Sequence, residues 1–290
     1  MLDPLTAAAL LAFTLSNIDL TPREIEFPFQ DELRLLPGET NAGMAWRSRG
    51  LPTDGRPVPL VVFVHGIIFD GLRHHWLTAD PTGAWDARPF LDAMVDDGEV
   101  APLVAATPSQ TRDAADPGRL FTEFDFDAFV DAVDVALAPY QHVDRARVVV
   151  VGHSGAACDP TGGSFAALRA KSFRPRALFA IDGCMAETGA PMLVSSAARD
   201  VFVIYQETIW NDRPFTEFRN AWVKQLEHEW PSGLRVLERI EPISENAHLA
   251  LVEITMRRWL PSVLPPTDRL AWTASVRRQL PQLPAIDAFP

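Results

Sequence analysis

Four consecutive valines, Val148 to Val151, lead directly into Gly152-His153-Ser154-Gly155-Ala156. β-branched side chains favour an extended backbone, and an unbroken apolar run suits a strand covered on both faces. The small residues around Ser154 let the chain reverse sharply, so the hydroxyl stands at the tip of the turn. That pattern makes Ser154 a candidate nucleophile. A second apolar run, Leu60 to Val64, ends in His65-Gly66, and an isolated His248 follows late in the chain.

The remaining pattern alternates strand and helix. Arg23–Phe29 and Ala42–Arg49 are weak strands, whereas Pro59–Val64 is a firm one. Pro89–Asp97 is predicted as a helix, with its proline in the first turn, and Val100–Thr107 as a strand. Glu123–Leu137 is a helix with an apolar stripe of Phe126, Phe129, Val130, Val133 and Leu137 and a capping pair of Thr122 and Asp125. Pro160, Gly162 and Gly163 interrupt the chain after Ser154, which predicts a short turn and then a helix over Ser164–Lys171. Ala177–Ile181 and Val201–Tyr205 are strands, Pro214–Trp230 a helix, Leu234–Ile240 an edge strand. A last core helix runs from His248 to Leu260, broken by Pro261. Further helices are expected within residues 1–20 and over Asp268–Leu280. This order predicts an α/β fold, a doubly wound and mostly parallel sheet with helices on both faces. No internal repeat or linker stands out, so residues 1–290 are read as a single domain. Its core covers roughly 23–260, with an N-terminal helical segment and a proline-rich C-terminal extension.

Composition narrows the partners. A formal net charge of -12 opposes nonspecific binding to nucleic acid or anionic membranes. The apolar run over residues 7–13 is much shorter than the about 20 residues of a membrane span, and no positive charge precedes it as in an export signal. A cytoplasmic protein without an integral membrane segment is expected, with export as the alternative. The two cysteines exclude a disulfide scaffold. Cys158 and Cys184 follow strands that should be neighbours and are read as small buried thiols, a disulfide being the alternative. His65, His74, His75 and Asp70 lack a dependable metal-ligand spacing, and the glycine-rich turns lack a P-loop lysine or dinucleotide fingerprint. No metal or other cofactor is expected.

With VVFVHG at 61–66, VVVVGHSGA at 148–156 and His248 in place, the sequence resembles the α/β-hydrolase superfamily across roughly residues 23–260. It departs from the usual elbow motif in having Ala156 for the second glycine and an interrupted helix after Ser154. The resemblance implies a serine hydrolase, with Ser154 as nucleophile, His248 as base, and backbone amides of Gly155 and Ile67 as the oxyanion hole. It implies that His153 is directed away from the reacting pair and that His65 supports the oxyanion loop. Asp182, at the end of its strand, is favoured as the acid; Glu207 and Asp212, after the next strand, are the alternatives. The expected substrate is a small carboxylic ester, partly apolar, contacted by Phe69, Trp76, Trp85, Trp210 and Trp222 from the segments 67–88 and 207–230. Core or lid packing is the competing role for each of these aromatics. An amidase or peptidase using the same groups, or a noncatalytic hydrolase-like binding protein, are the alternative functions. Oligomeric state is not legible in the chain.

Overall fold

A computed structural model describes residues 22–29, 42–67, 74–79, 86–109, 121, 124–158, 160–206, 215–241 and 247–266. The valine run lies in the longest strand, β5 (Val143–His153). Its alternation explains the unbroken apolarity. Val149 and Val151 join one core cluster, with Val61, Phe63, Phe179 and Phe202, while Val148 and Val150 join a second on the opposite face, with Leu60, Val62 and Phe129. Successive strand side chains point to opposite faces, so a strand covered on both sides needs an apolar residue at every position.

Around β5 lie β1 (Glu24–Pro28), β2 (Ala42–Arg47), β3 (Val58–Val64), β4 (Val104–Thr107), β6 (Ala177–Ile181), β7 (Asp200–Tyr205) and β8 (Arg235–Arg239). They form one eight-stranded sheet in the order β1-β2-β4-β3-β5-β6-β7-β8. The β1–β2 and β2–β4 pairs are antiparallel; from β4 to β8 every pair is parallel. Helices α1 (Arg88–Asp96) and α5 (Ala247–Val263) cover one face through Leu91, Met94, Leu251 and Met256. On the other face lie α2 (Phe126–Leu137), through the predicted stripe, and α3 (Gly189–Val194) and α4 (Phe215–His228). The doubly wound α/β architecture expected from the strand–helix alternation is therefore present. No helix among the described residues is long and apolar enough to cross a membrane.

Several local expectations are corrected. Asp125 is itself the N-cap of α2, accepting from the Ala128 N–H at 3.0 Å, and Thr122 lies outside the described residues. After Ser154 the chain forms two 3₁₀ segments, Ser154–Ala157 and Gly163–Arg169, in place of a turn and an α-helix. Pro261 does not break the last helix but lies inside it. Near a helix end a proline removes only one intrahelical bond, and the Leu264 N–H still reaches the Leu260 carbonyl at 2.8 Å. The helices expected within 1–20 and over 268–280 lie outside the described residues.

Cys158 and Cys184 are joined in a disulfide rather than standing as two thiols, with Cα atoms 4.7 Å apart. The cause is register. His153 pairs with Ile181, so residues just past the ends of β5 and β6 emerge side by side. Closing a loop across a sequence separation of 26 restricts the unfolded chain and contributes about 3–4 kcal/mol by the loop-entropy relation. Reduction, or the paired change Cys158→Ser and Cys184→Ser, is expected to lower Tm by on the order of 10 °C. Differential scanning calorimetry with and without a dithiol measures this.

Candidate active site

Ser154 follows the last residue of β5, with φ 55°, and Asp182 follows the last residue of β6, with φ 49°. L-residues adopt this left-handed conformation at a cost of roughly 1–3 kcal/mol, and it concentrates where a turn must present a side chain. Two other non-glycine residues among the described ones share it, Trp76 and Phe121. Both pack against histidines of the same region. Trp76 meets the His153 ring edge-on at 5.3 Å, and Phe121 meets His65 at 4.7 Å.

β3 reaches the same place. A Cβ on Gly66 would lie 2.5 Å from the Ser154 Cβ and 3.0 Å from its Oγ, so only glycine lets the backbone after β3 touch the serine. Ile67 is the next residue along this backbone. The His65 Nδ1–H donates to the Gly66 carbonyl at 2.8 Å and fixes the turn. The two strand-end turns also meet backbone to backbone: a Cβ on Gly183 would lie 2.5 Å from the Ala157 carbonyl oxygen. Ala156 is fully buried.

His248 stands in the first turn of α5, partly buried. Its Nδ1 lies 2.5 Å from the Asp182 Oδ2. The fully buried carboxylate also accepts the backbone N–H of Gln206 on Oδ1 at 3.1 Å and the Gln206 Nε2–H on Oδ2 at 2.9 Å. Of the three acids considered from sequence, Asp182 thus meets His248; Glu207 and Asp212 lie outside the described residues. The geometry therefore joins histidine and acid and places the serine on the neighbouring strand end.

His153 departs from expectation. It is not directed away from His248: its ring lies 4.3 Å from the His248 ring, and its Nε2–H donates to the His248 carbonyl at 2.9 Å. Complete burial, reinforced by the neighbouring His248 and His75, holds its pKa well below the ordinary histidine value. A neutral His153 with its proton on Nε2 can both donate to that carbonyl and avoid a second positive charge beside His248. Neither His153 nor Gln206 was singled out as functional from sequence. The adjacency of His153 to Ser154 was visible, but its direction depends on how β5 turns.

The aromatics separate. Trp76 is buried between Phe63 and His153. Trp222 packs on Phe218 in the core beneath α4, which is the core-packing role. Phe69, Trp85 and Trp210 lie outside the described residues, as does Asp70.

Solved structures share this arrangement of strands. A ferulic acid esterase aligns over 83% of this chain and 97% of its own, with TM-score 0.55 and 14% identity. The chain has the α/β-hydrolase fold. A feruloyl esterase module from Clostridium thermocellum is similar over 83% of this chain and 87% of its own, with TM-score 0.54 and 11% identity. An S-formylglutathione hydrolase from Agrobacterium tumefaciens is similar over 88% and 96%, with TM-score 0.51 and 14% identity. No family model matches this chain, and no curated protein matches it.

Burial of His153 links the site to stability. The unfolded chain takes up a proton there below about pH 6.5, while the folded chain does not until its depressed pKa is reached. Stability therefore falls as pH drops below about 6.5 and stops falling on this account below the folded pKa. The slope from this group is at most about 1.4 kcal/mol per pH unit. Urea unfolding across this range is expected to show the slope in wild type and its loss in His153→Gln, whose amide does not titrate.

Proposed function

We propose that this chain is a serine hydrolase that cleaves carboxylic esters without a cofactor. The observation that carries the reading is the 2.5 Å contact between His248 Nδ1 and the buried Asp182 carboxylate, one strand over from a serine held in the left-handed conformation. With Nδ1–H directed at Asp182, the Nε2 of His248 carries the ring's basic lone pair and acts as general base. It takes the Ser154 proton as Oγ attacks the ester carbonyl. The amides of Gly155 and Ile67 donate to the oxyanion, a role supported by the contact of the Gly66 backbone with Ser154. The intermediate collapses as His248 returns the proton to the leaving alcohol. His248 then deprotonates water as it attacks the acyl carbonyl; the carboxylic acid is released as the bond to Ser154 Oγ breaks and Oγ takes the proton back from His248. Asp182 orients the ring and stabilises the imidazolium.

A partly apolar, small ester is the proposed substrate, met by Phe69, Trp85 and Trp210. The names of the two ferulate-associated structures support including an aryl-acyl ester in the substrate panel. The competing reading is a hydrolase-like binding protein that retains ligand without turnover. The Cys158–Cys184 bond supports action in an oxidising compartment over the cytoplasmic setting expected from composition.

A fluorophosphonate probe separates the two readings. Wild type is expected to be labelled at Ser154 and to hydrolyse short aryl esters; Ser154→Ala is expected to do neither. Asp182→Asn is expected to lower kcat by up to about 10⁴-fold through loss of the His248 orientation and tautomer, with KM little changed. A folded, unlabelled wild-type protein would rule out the serine mechanism.

A further inference from the structure

Gln206 is the first residue after β7, and it is 1% exposed. Its position is fixed from both sides. The Asp182 N–H donates to the Ile204 carbonyl at 2.7 Å, holding the ends of β6 and β7 together. The preceding Tyr205 is stacked on Phe215 at 4.1 Å. From this anchored position Gln206 donates twice, through its backbone to Asp182 Oδ1 and through its side chain to Oδ2. Oδ2 is also the atom that faces His248.

We infer that Gln206 is a positioning residue for the serine-hydrolase reaction proposed above, on which this inference rests. It holds the Asp182 carboxylate in the one rotamer that meets His248, and it does so as a neutral donor. The neutrality is the physical point. A buried carboxylate is stabilised in its charged form by hydrogen bonds to its oxygens. A cation in place of the amide would compete with His248 for its negative charge, and an anion would repel it. An amide satisfies the oxygens and leaves the whole charge to act on the imidazole. Gln206 is not placed against a reacting atom; its effect passes through Asp182. Among the described residues, His248, from the start of α5, faces Asp182, and behind it lies His153, from the end of β5, whose burial keeps it neutral.

Two substitutions test this: Gln206→Met, similar in length without a donor, and Gln206→Glu, whose carboxyl donates only when protonated. Hydrolysis of a soluble aryl ester is followed between about pH 5 and pH 9, and the low-field proton resonance of the His248 Nδ1–H is recorded by NMR. Gln206→Met is expected to lower kcat by about 10- to 100-fold with KM unchanged and to shift or broaden that resonance. For Gln206→Glu, the ratio of its kcat to that of wild type is expected to be highest at the acid end. There the introduced carboxyl is protonated and donates to Asp182. The ratio is expected to fall as pH rises and two carboxylates come to share the site, in a step above the usual carboxylate range.

A Gln206→Met protein with kcat within about twofold of wild type and an unchanged resonance would overturn the inference. If Gln206→Met does not fold, the pH-dependence of the Gln206→Glu ratio decides, and a flat ratio overturns it. If Ser154→Ala turns over ester as fast as wild type, the serine mechanism is lost. The resonance then still decides the role of Gln206: its loss in Gln206→Met upholds the positioning, and its retention rejects it.

Discussion

The parallel pairing of β5 with β6, in the register that sets His153 opposite Ile181, is the constraint on which the site depends. A slip of one residue would turn every side chain of β6 to the other face. Ser154 and Asp182 would then no longer leave their strands as neighbours. The register is held by burial on both faces: Val149 and Val151 pack with Phe179 and Ile181 on one side, while Leu178 and Ala180 pack toward α3 and α4 on the other. The strained turns at Ser154 and Asp182 are carried by strands that are buried on both faces.

From that register the chemistry is assembled by strand ends. β3 contributes the Gly66 backbone against the serine, β5 the serine and His153, β6 the acid, and β7 the amide of Gln206. His248 arrives from the start of α5, and two elements locate it. Asp182 holds its ring, and His153 holds its main chain. The sheet edge from β1 to β2 takes no part in these contacts and serves the fold.

Much of this was legible in the chain because continuous apolar runs followed by glycine have few other uses. β3, β6 and β7 lie close to their predicted bounds, while β5 extends from Val143 to His153, well beyond the predicted valine run, and Asp182 stands directly at a strand end. What escaped was set by direction and distance. The 3₁₀ segments after Ser154 arise from close packing of the turn, where a Cβ on Gly152 would lie 2.5 Å from the Ser164 Cβ, and helix propensity carries no trace of it. Gln206 carries no charge, and nothing in the sequence around β7 marks it as a partner of Asp182. Trp222 lies on the apolar stripe of α4 and obeyed the helical period by entering the core. Its aromatic character alone had made it a candidate for substrate contact. The pairing of Cys158 with Cys184 required knowing how far each residue stands past its strand end.

That covalent link makes residues 158–184 a closed ring, threaded from the serine turn through the second 3₁₀ segment and β6 to the acid turn. A single break in the backbone anywhere inside the ring leaves two fragments tethered to one another. Such a nicked chain keeps its full mass on a non-reducing gel and separates only after the sulfurs are parted.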